Sequence, residues 1–411
     1  MNVNGIIAEY NPFHNGHKYH LTEAKKQTGA DYTIIAMSGN FMQRGAPALT
    51  DKYTRVKMAL ENGADLVLEL PICYASSSAE YFATGAVALL DKLGVVNQLC
   101  FGSECGDIDI LKDISSILLE EPAQFSAALR RLLQHGLSFP TARTLALLEY
   151  APDLSCHKDV LSSPNNILGI EYLKALIRRE SAIVPLTTKR VGSDYHDKRF
   201  GERQCSAVAI RQALLSGQEI SVLSDQMPEN AYKLLKEALL QAPPICSNDF
   251  SALLHYKLLI ESDEGYSQYV DVSSDLSDRI RKNLYGFTDF HSFCGLLKSK
   301  DMTYTRISRC LLHILLDVRK SDLTDYQQLD YVPYARVLGF RKAAAPLLSA
   351  IKEHSSIPLV TKLADAGDLL TPEAYQMLQR ELKQGSIYES IRALKSGAPM
   401  RNELQIPIVI V

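Results

Sequence analysis

The chain is 411 residues long, 46% hydrophobic and 22% charged, enough to bury the cores of two or three globular units. A formal net charge of −3 excludes a globally basic nucleic-acid binder, so any RNA surface must be a local patch. Eight cysteines without a Cys-x-x-Cys pair argue for reduced thiols over a disulfide framework or zinc ribbon; with no apolar run near 18 residues and no signal-type leader, the expectation is a cytoplasmic protein.

Residues 3–8 read as a short apolar strand that runs into a turn at Pro12, and a helix opens near Gly16 and extends to about residue 28. His14, His17 and His20, three of the ten histidines, fall in these seven positions. Strand, tight turn and helix start form the unit with which α/β sheets hold phosphate, because N–H groups at the helix start face the anion. Gly16 would let a ligand approach where a Cβ would clash. Imidazoles at i and i+3 share a helical face, so His14 and His17 can address one phosphate. A His-x-x-His pair also arises by chance, with rings capping helices or satisfying buried carbonyls, and for these four residues alone both readings stand. Zinc is disfavoured, since the metalloprotease pattern needs i, i+4 spacing with an intervening Glu.

Further strands fall at 32–37, 66–69, 98–101 and 183–186, alternating with helices at 52–62, 79–93 and 165–178. That alternation predicts a mostly parallel sheet covered on both faces, with ligands at the carboxyl ends of its strands. Gly39 to Gly45 has the wrong spacing for a P-loop and lacks the following Lys-Ser/Thr. Gly102, after an apolar strand end, is either a turn glycine or room for an adenosine. A largely helical insertion occupies about 107–161, where Arg130 and Arg131 read as a solvated face. Asn165 caps a helix or binds nucleotide. Arg190 and Val191 follow a strand, where arginine suits phosphate or ribose. Ser206 and Arg211 are either a capping serine with a solvated arginine or a second phosphate site. Beyond about 230 the chain turns helical, at 230–241, 249–259, 276–285, 290–297 and 304–316, before short α/β elements return at 357–362 and 406–411. Lys298, Lys300, Tyr304, Arg306 and Arg309 form the densest basic and aromatic cluster, with Arg336, Arg341 and Lys342 further on. Such a cluster suits phosphate contact with base stacking, or is simply solvated.

His14-Asn15-Gly16-His17 after an N-terminal strand resembles the His-x-Gly-His element of the nucleotidyltransferase superfamily, which includes adenylyltransferases and class I aminoacyl-tRNA synthetases. The longer strings are narrower. Ala8-Glu9-Tyr10-Asn11-Pro12-Phe13-His14-Asn15-Gly16-His17, Ser38-Gly39-Asn40-Phe41-Met42-Gln43-Arg44-Gly45 and Phe101-Gly102-Ser103-Glu104 look like the bacterial tRNA(Met) cytidine acetate ligases. Ser163-Pro164-Asn165-Asn166-Ile167-Leu168-Gly169 and Ser206-Ala207-Val208-Ala209-Ile210-Arg211 extend the match in the family's order.

The resemblance implies an α/β fold: a Rossmann-like nucleotidyltransferase domain with a parallel sheet over residues 1–225, then a mainly helical C-terminal region, 226–411, with a small α/β end. It implies an ATP-dependent ligase that makes acetyl-adenylate and passes the acetyl group to the wobble cytidine of elongator tRNA(Met), with Mg²⁺ accompanying ATP. Its ATP-binding positions would be Ile7, Ala8, Glu9, Tyr10, Asn11, Pro12, Phe13, His14, Asn15, Gly16, His17, Lys18, Tyr19, His20, Gly102, Asn165, Arg190, Val191 and Ser206. His14, His17, Lys18 and Arg211 would carry the chemistry, although helical neighbours point about 100° apart, which separates Lys18 from His17. No protein carboxylate cage for the metal is evident. Glu9, Gln43, Arg44 and Glu104 are candidates for the acetate seat, and Lys298, Lys300, Arg306 and Arg309 for tRNA. Two rivals remain: a small-molecule nucleotidyltransferase, or a non-catalytic nucleotide-sensing RNA-binding protein.

Overall fold

The computed structural model describes residues 1–157, 160–190 and 206–411. In chain order its first part comprises β1 (Val3–Ala8), α1 (Asn15–Thr28), β2 (Tyr32–Ser38), β3 (Phe41–Met42), β4 (Ala46–Pro47), α2 (Lys52–Glu61), β5 (Leu66–Leu70), α3 (Ile72–Ala75), α4 (Ala79–Lys92) and β6 (Gln98–Ser103). The insertion holds α5 (Ile108–Glu120), α6 (Ala123–Gln134) and α7 (Phe139–Tyr150), followed by α8 (Pro164–Arg178), β7 (Val184–Lys189) and α9 (Ala207–Leu215). The remainder is α10 (Glu229–Gln241), α11 (Ser251–Ile260), α12 (Ser274–Asn283), α13 (Phe290–Leu297), α14 (Tyr304–Leu315), α15 (Lys320–Gln328), β8 (Ala335–Phe340), α16 (Ala345–His354), β9 (Leu359–Val360), α17 (Ala366–Leu369), α18 (Pro372–Ser396) and β10 (Val409–Ile410).

The main sheet runs in the order β10-β8-β5-β2-β1-β6-β7, with β9 beside β8. From β5 to β7 every pairing is parallel. These strands read as continuous apolar runs because both faces are covered. Successive residues go to opposite cores. Ile34, Ala36, Leu66 and Leu68 pack with Phe82 and Ala83 of α4 and Leu173 of α8. Ile35, Met37 and Val67 pack with Leu21 of α1, Val56 of α2 and Ile210 of α9.

The strands of the 226–411 region extend this sheet. β8 lies antiparallel to β5, with a register shift at Val67/Leu68, and β10 lies parallel to β8. A buried ionic cluster fastens the join. Glu69 at the end of β5 meets Lys52 Nζ at 2.7 Å and Arg336 of β8 at 2.8 Å, and Arg336 also meets Glu403 at 2.7 Å. Lys52 pairs with Glu403 as well. Two cations thus face two carboxylates, the compensation that buried charges require. The short α/β elements expected at 357–362 and 406–411 each contain a two-residue strand, and β8 and α18 were not anticipated. Helix α18 hides from pattern reading because its buried positions mix Met377, Leu378 and Tyr388 with Glu381, Gln384 and Glu389. No helix among the described residues is long and apolar enough to cross a membrane.

Candidate active site

A cavity of about 350 Å³ opens where β1, β6 and β7 end, between α1, α8, α9 and the hairpin β3–β4. Its first wall is the start of α1. His14 is the helix N-cap, and its Nδ1 accepts the Gly16 N–H at 3.0 Å. His17, one turn on, returns its own Nδ1 to the His14 N–H at 3.3 Å. The two rings stack with centroids 3.8 Å apart. Because both Nδ1 atoms accept, both rings carry their proton on Nε2. Among the described residues neither Nε2–H has a protein acceptor, and both histidines line the cavity.

The rings are neutral donors. Burial holds the His14 pKa down at about 3, and Arg190 and Arg211 depress it further. Burial, then His14 and Arg190, keep His17 well below 6.5, and His20 falls to about 4 for the same first cause. His20 Nε2 is buried without a partner in the described structure and lines the same cavity. Gly16 serves differently from expectation. A Cβ there would lie 2.9 Å from the His14 ring, so the glycine makes room for the capping imidazole.

The opposite wall comes from β6, β7 and α8. β7 continues to Lys189, three residues past its predicted end, and so brings Thr188, Lys189 and Arg190 to the cavity. A Cβ on Gly102 would come 3.3 Å from the stem of Arg190, so this glycine leaves space for the arginine on this wall. Ser163 gives α8 no side-chain cap; Glu104 does so from a distance. Its Oε1 accepts from the Asn165 amide at 2.6 Å and its Oε2 from the Asn166 N–H at 2.9 Å, while Asn166 Oδ1 accepts the Glu104 N–H at 2.9 Å. Glu104 is thus committed to this clamp and is not part of the cavity lining. On the third side Ser206 caps α9 by accepting the Ala209 N–H at 3.2 Å, and Arg211 reaches the Asn11 carbonyl at 2.6 Å. The α9 N-terminus therefore presents its backbone and Arg211 to the cavity together.

The last wall is the β3–β4 hairpin, whose tip carries Gln43 and Arg44. Gln43 N–H donates to Glu9 Oε1 at 2.6 Å and its side-chain amide to the Ser77 carbonyl at 3.1 Å. Arg55, fully buried on α2, donates to the carbonyls of Glu9 (2.7 Å), Ser38 (3.0 Å) and Thr50 (3.3 Å), and to that of Gly39. One guanidinium thus pins the ends of β1 and β2, a role that an arginine on an amphipathic helix does not advertise. The hairpin rests on α14, where Ser308 Oγ donates to the Gly45 carbonyl at 2.8 Å. Gly45 has φ +73°, and a Cβ there would fall 2.4 Å from the Arg309 nitrogen.

Of the residues expected at the site, Ile7, Ala8, Glu9, Tyr10, Asn11, His14, Gly16, His17, Tyr19, His20, Gly102, Asn165, Arg190, Ser206 and Arg211 all line this cavity. Pro12, Phe13, Asn15 and Lys18 do not. Phe13 is buried behind the site against Tyr10 and His17, and Lys18 is solvent-exposed. Val191 lies outside the described residues. In the basic cluster Lys298 and Lys300 are exposed, whereas Arg309 is partly buried and paired with Asp271 at 3.2 Å. Among the described residues no group of three metal-ligating side chains exists. Thr188, Lys189, Phe82 and Tyr172 line the cavity without having been anticipated; only the length of β7 hid the first two.

The family described as HIGH Nucleotidyl Transferase matches residues 1–402. The tRNA(Met) cytidine acetate ligase of Clostridium perfringens is 42% identical over 395 residues, covering 94% of this chain and 95% of the relative. That of Halothermothrix orenii is 39% identical over 426 residues, covering 100% and 99%. Among solved structures, Thermotoga maritima TmcAL in its apo form superposes with a TM-score of 0.91 at 31% identity, and the same protein bound with alpha-thio ATP with 0.89 at 32%, both over the full length of each chain.

Proposed function

The chain belongs to the HIGH nucleotidyltransferase family and, within it, to the tRNA(Met) cytidine acetate ligases, and from that membership we propose how its geometry works. It is an ATP-dependent ligase: acetate attacks the α-phosphate of ATP to give acetyl-adenylate and pyrophosphate, and the wobble cytidine of elongator tRNA(Met) then takes the acetyl group and releases AMP. The single observation that carries this reading is the pair of neutral imidazoles whose Nε2–H groups reach a cavity edged by the α9 N-terminus, Arg190 and Arg211.

Phosphoryl chemistry asks the protein mainly for position and charge complementarity. In this reading His14 and His17 donate to the α-phosphate as charge builds there, and cost no ionic desolvation because they bind uncharged. Ser206 and Arg211, with the α9 N-terminus, receive the departing pyrophosphate. Gly102, Asn165 and Arg190 form the wall for adenosine. Lys18, exposed and outside the cavity, has no role in the first step here. Magnesium would arrive with ATP and offset part of the triphosphate charge, beside Arg190 and Arg211 on the protein side. Adenylation is assigned to residues 1–225, with the helical insertion at 107–161, and tRNA contact to 226–411, where Lys298, Lys300 and Arg306 remain accessible or partly so. We place the reaction in the cytoplasm, where free acetate, ATP and tRNA meet.

The deciding experiment incubates purified protein with ATP, Mg²⁺, labelled acetate and total bacterial tRNA, then digests and identifies the nucleosides. Labelled acetylcytidine is the expected product. Pyrophosphate release without label would leave adenylation standing and remove the acceptor; neither product would favour a nucleotide-sensing RNA-binding protein.

A further inference from the structure

One carboxylate, Glu9, stands on the hairpin side of the cavity, across from the phosphate-facing histidines. Glu9 follows β1, with its main-chain carbonyl fixed by Arg55 and its side chain turned toward the hairpin. Among the described residues the Gln43 N–H is the only hydrogen-bond donor to this carboxylate, and it engages Oε1. The nearest positive charges, Arg211, Arg44 and Arg55, influence Glu9 without closing an ion pair on it among the described residues. Among the described residues no group donates to Oε2, and Glu9 lines the cavity. Burial raises the pKa of Glu9 above the ordinary 4.5, against the pull of Gln43 and the arginines, which makes it a better base than a solvated carboxylate.

A lone acceptor is the complement of an exocyclic amine. Cytosine offers an N–H donor at N4, where uracil offers an oxygen that a carboxylate would repel. We propose that Glu9 Oε2 accepts the N4–H of the wobble cytidine and takes its proton during acetyl transfer. This rests on the ligase reading above. N4 attacks the acyl carbon of acetyl-adenylate; the N–C bond forms, the C–O bond to phosphate breaks, AMP leaves with the electron pair, and the N4 proton passes to Glu9 and then to water. The Gln43 bond holds the carboxylate in place, and because the hairpin is seated on α14 through Ser308 and Gly45, the base sits on the side facing the C-terminal region.

Glu9→Gln tests the assignment, since glutamine keeps an acceptor oxygen for the Gln43 N–H. Two half-reactions are read separately: acetate-dependent ATP–pyrophosphate exchange, and single-turnover transfer from preformed acetyl-adenylate to tRNA. Loss of a general base is expected to slow transfer about 10²–10⁴-fold more than it slows exchange. The wild-type transfer rate should also climb with pH through a carboxylate titration above 4.5, and the variant should lose that limb. If exchange and transfer fall equally, or the KM for ATP rises in parallel, Glu9 serves the nucleotide and the proposal is overturned; undiminished transfer overturns it as well. Should Glu9→Gln fail to fold, Glu9→Asp replaces it, with the same split expected at a smaller ratio and an equal fall again decisive against. Absence of acetylcytidine with the wild-type protein would instead sink the ligase reading itself.

Discussion

Two buried histidine arrangements in this protein do opposite things. At the head of α1, His14 and His17 spend their Nδ1 atoms on backbone N–H groups and leave both Nε2–H groups without a protein acceptor in the described structure. On α14, His313 lies between two carbonyls, with Nδ1 3.0 Å from Val270 O and Nε2 3.0 Å from Ser76 O, so the single N–H of its neutral ring is committed to the protein in either tautomer. The first pair leaves its donors uncommitted at the cavity. The second residue is a brace, tying the segment after α3 to the C-terminal helices. Burial keeps all of these rings below the usual histidine pKa, so charge does not distinguish them; the count of uncommitted donors does.

Removing one donor gives the largest expected effect. His17→Ala should lower acetate-dependent pyrophosphate exchange by about 10²–10³-fold, the cost of deleting one preorganised donor, and cost about 1 kcal/mol of stability as the His14 N–H loses its acceptor. An active His17→Ala enzyme would end the distinction. His313→Ala should do the reverse: about 2–4 kcal/mol of stability lost, from a cavity and an orphaned carbonyl, with exchange per folded molecule preserved. Denaturant titration beside the exchange assay checks both halves.

These contrasts also mark how far the sequence was readable. The histidine pair, Arg211 and Asn165 stand in short contiguous strings, and the parallel sheet follows from apolar runs alternating with amphipathic helices, so both could be read locally. The hairpin side was hidden, because what makes it a wall is distant in sequence: Arg55 against Glu9 and Ser38, and Ser308 against Gly45. The attachment of β8 to β5 depends on Lys52, Glu69, Arg336 and Glu403, four charges that read as solvated until the fold brings them together. Glu104 looked like a ligand-binding carboxylate because nothing in its neighbourhood announced that α8 lacked a cap.

The same contrast has a pH signature of intermediate size. His14 and His20 have folded pKa values of about 3 and 4, below the unfolded 6.5, so the stability tied to their neutral forms is present above pH 6.5 and is lost as pH falls from 6.5 toward 3. His17 shifts in the same direction. The unliganded protein should therefore weaken steadily through this window, and a His14→Asn, His17→Asn variant should weaken less steeply. A denaturation midpoint that is flat from pH 7 to 4.5 would mean that these rings are better solvated than their packing indicates.

The smallest effect separates two arginines that share one helix. Arg309 is paired with Asp271 and packed beneath Gly45, whereas Arg306, three residues earlier, is only partly buried. If α14 meets the phosphate backbone of tRNA, Arg306→Ala should weaken binding a few-fold and lower the slope of log K against log salt by about one, leaving exchange intact. Arg309→Ala should instead act through the hairpin, because it strips Asp271 of its partner next to the α14 backbone on which Gly45 rests. Its signature would be lost stability and slower transfer with an unchanged salt slope. Equal salt slopes in wild type and Arg306→Ala would leave that charge merely solvated and move the tRNA surface toward Lys298 and Lys300.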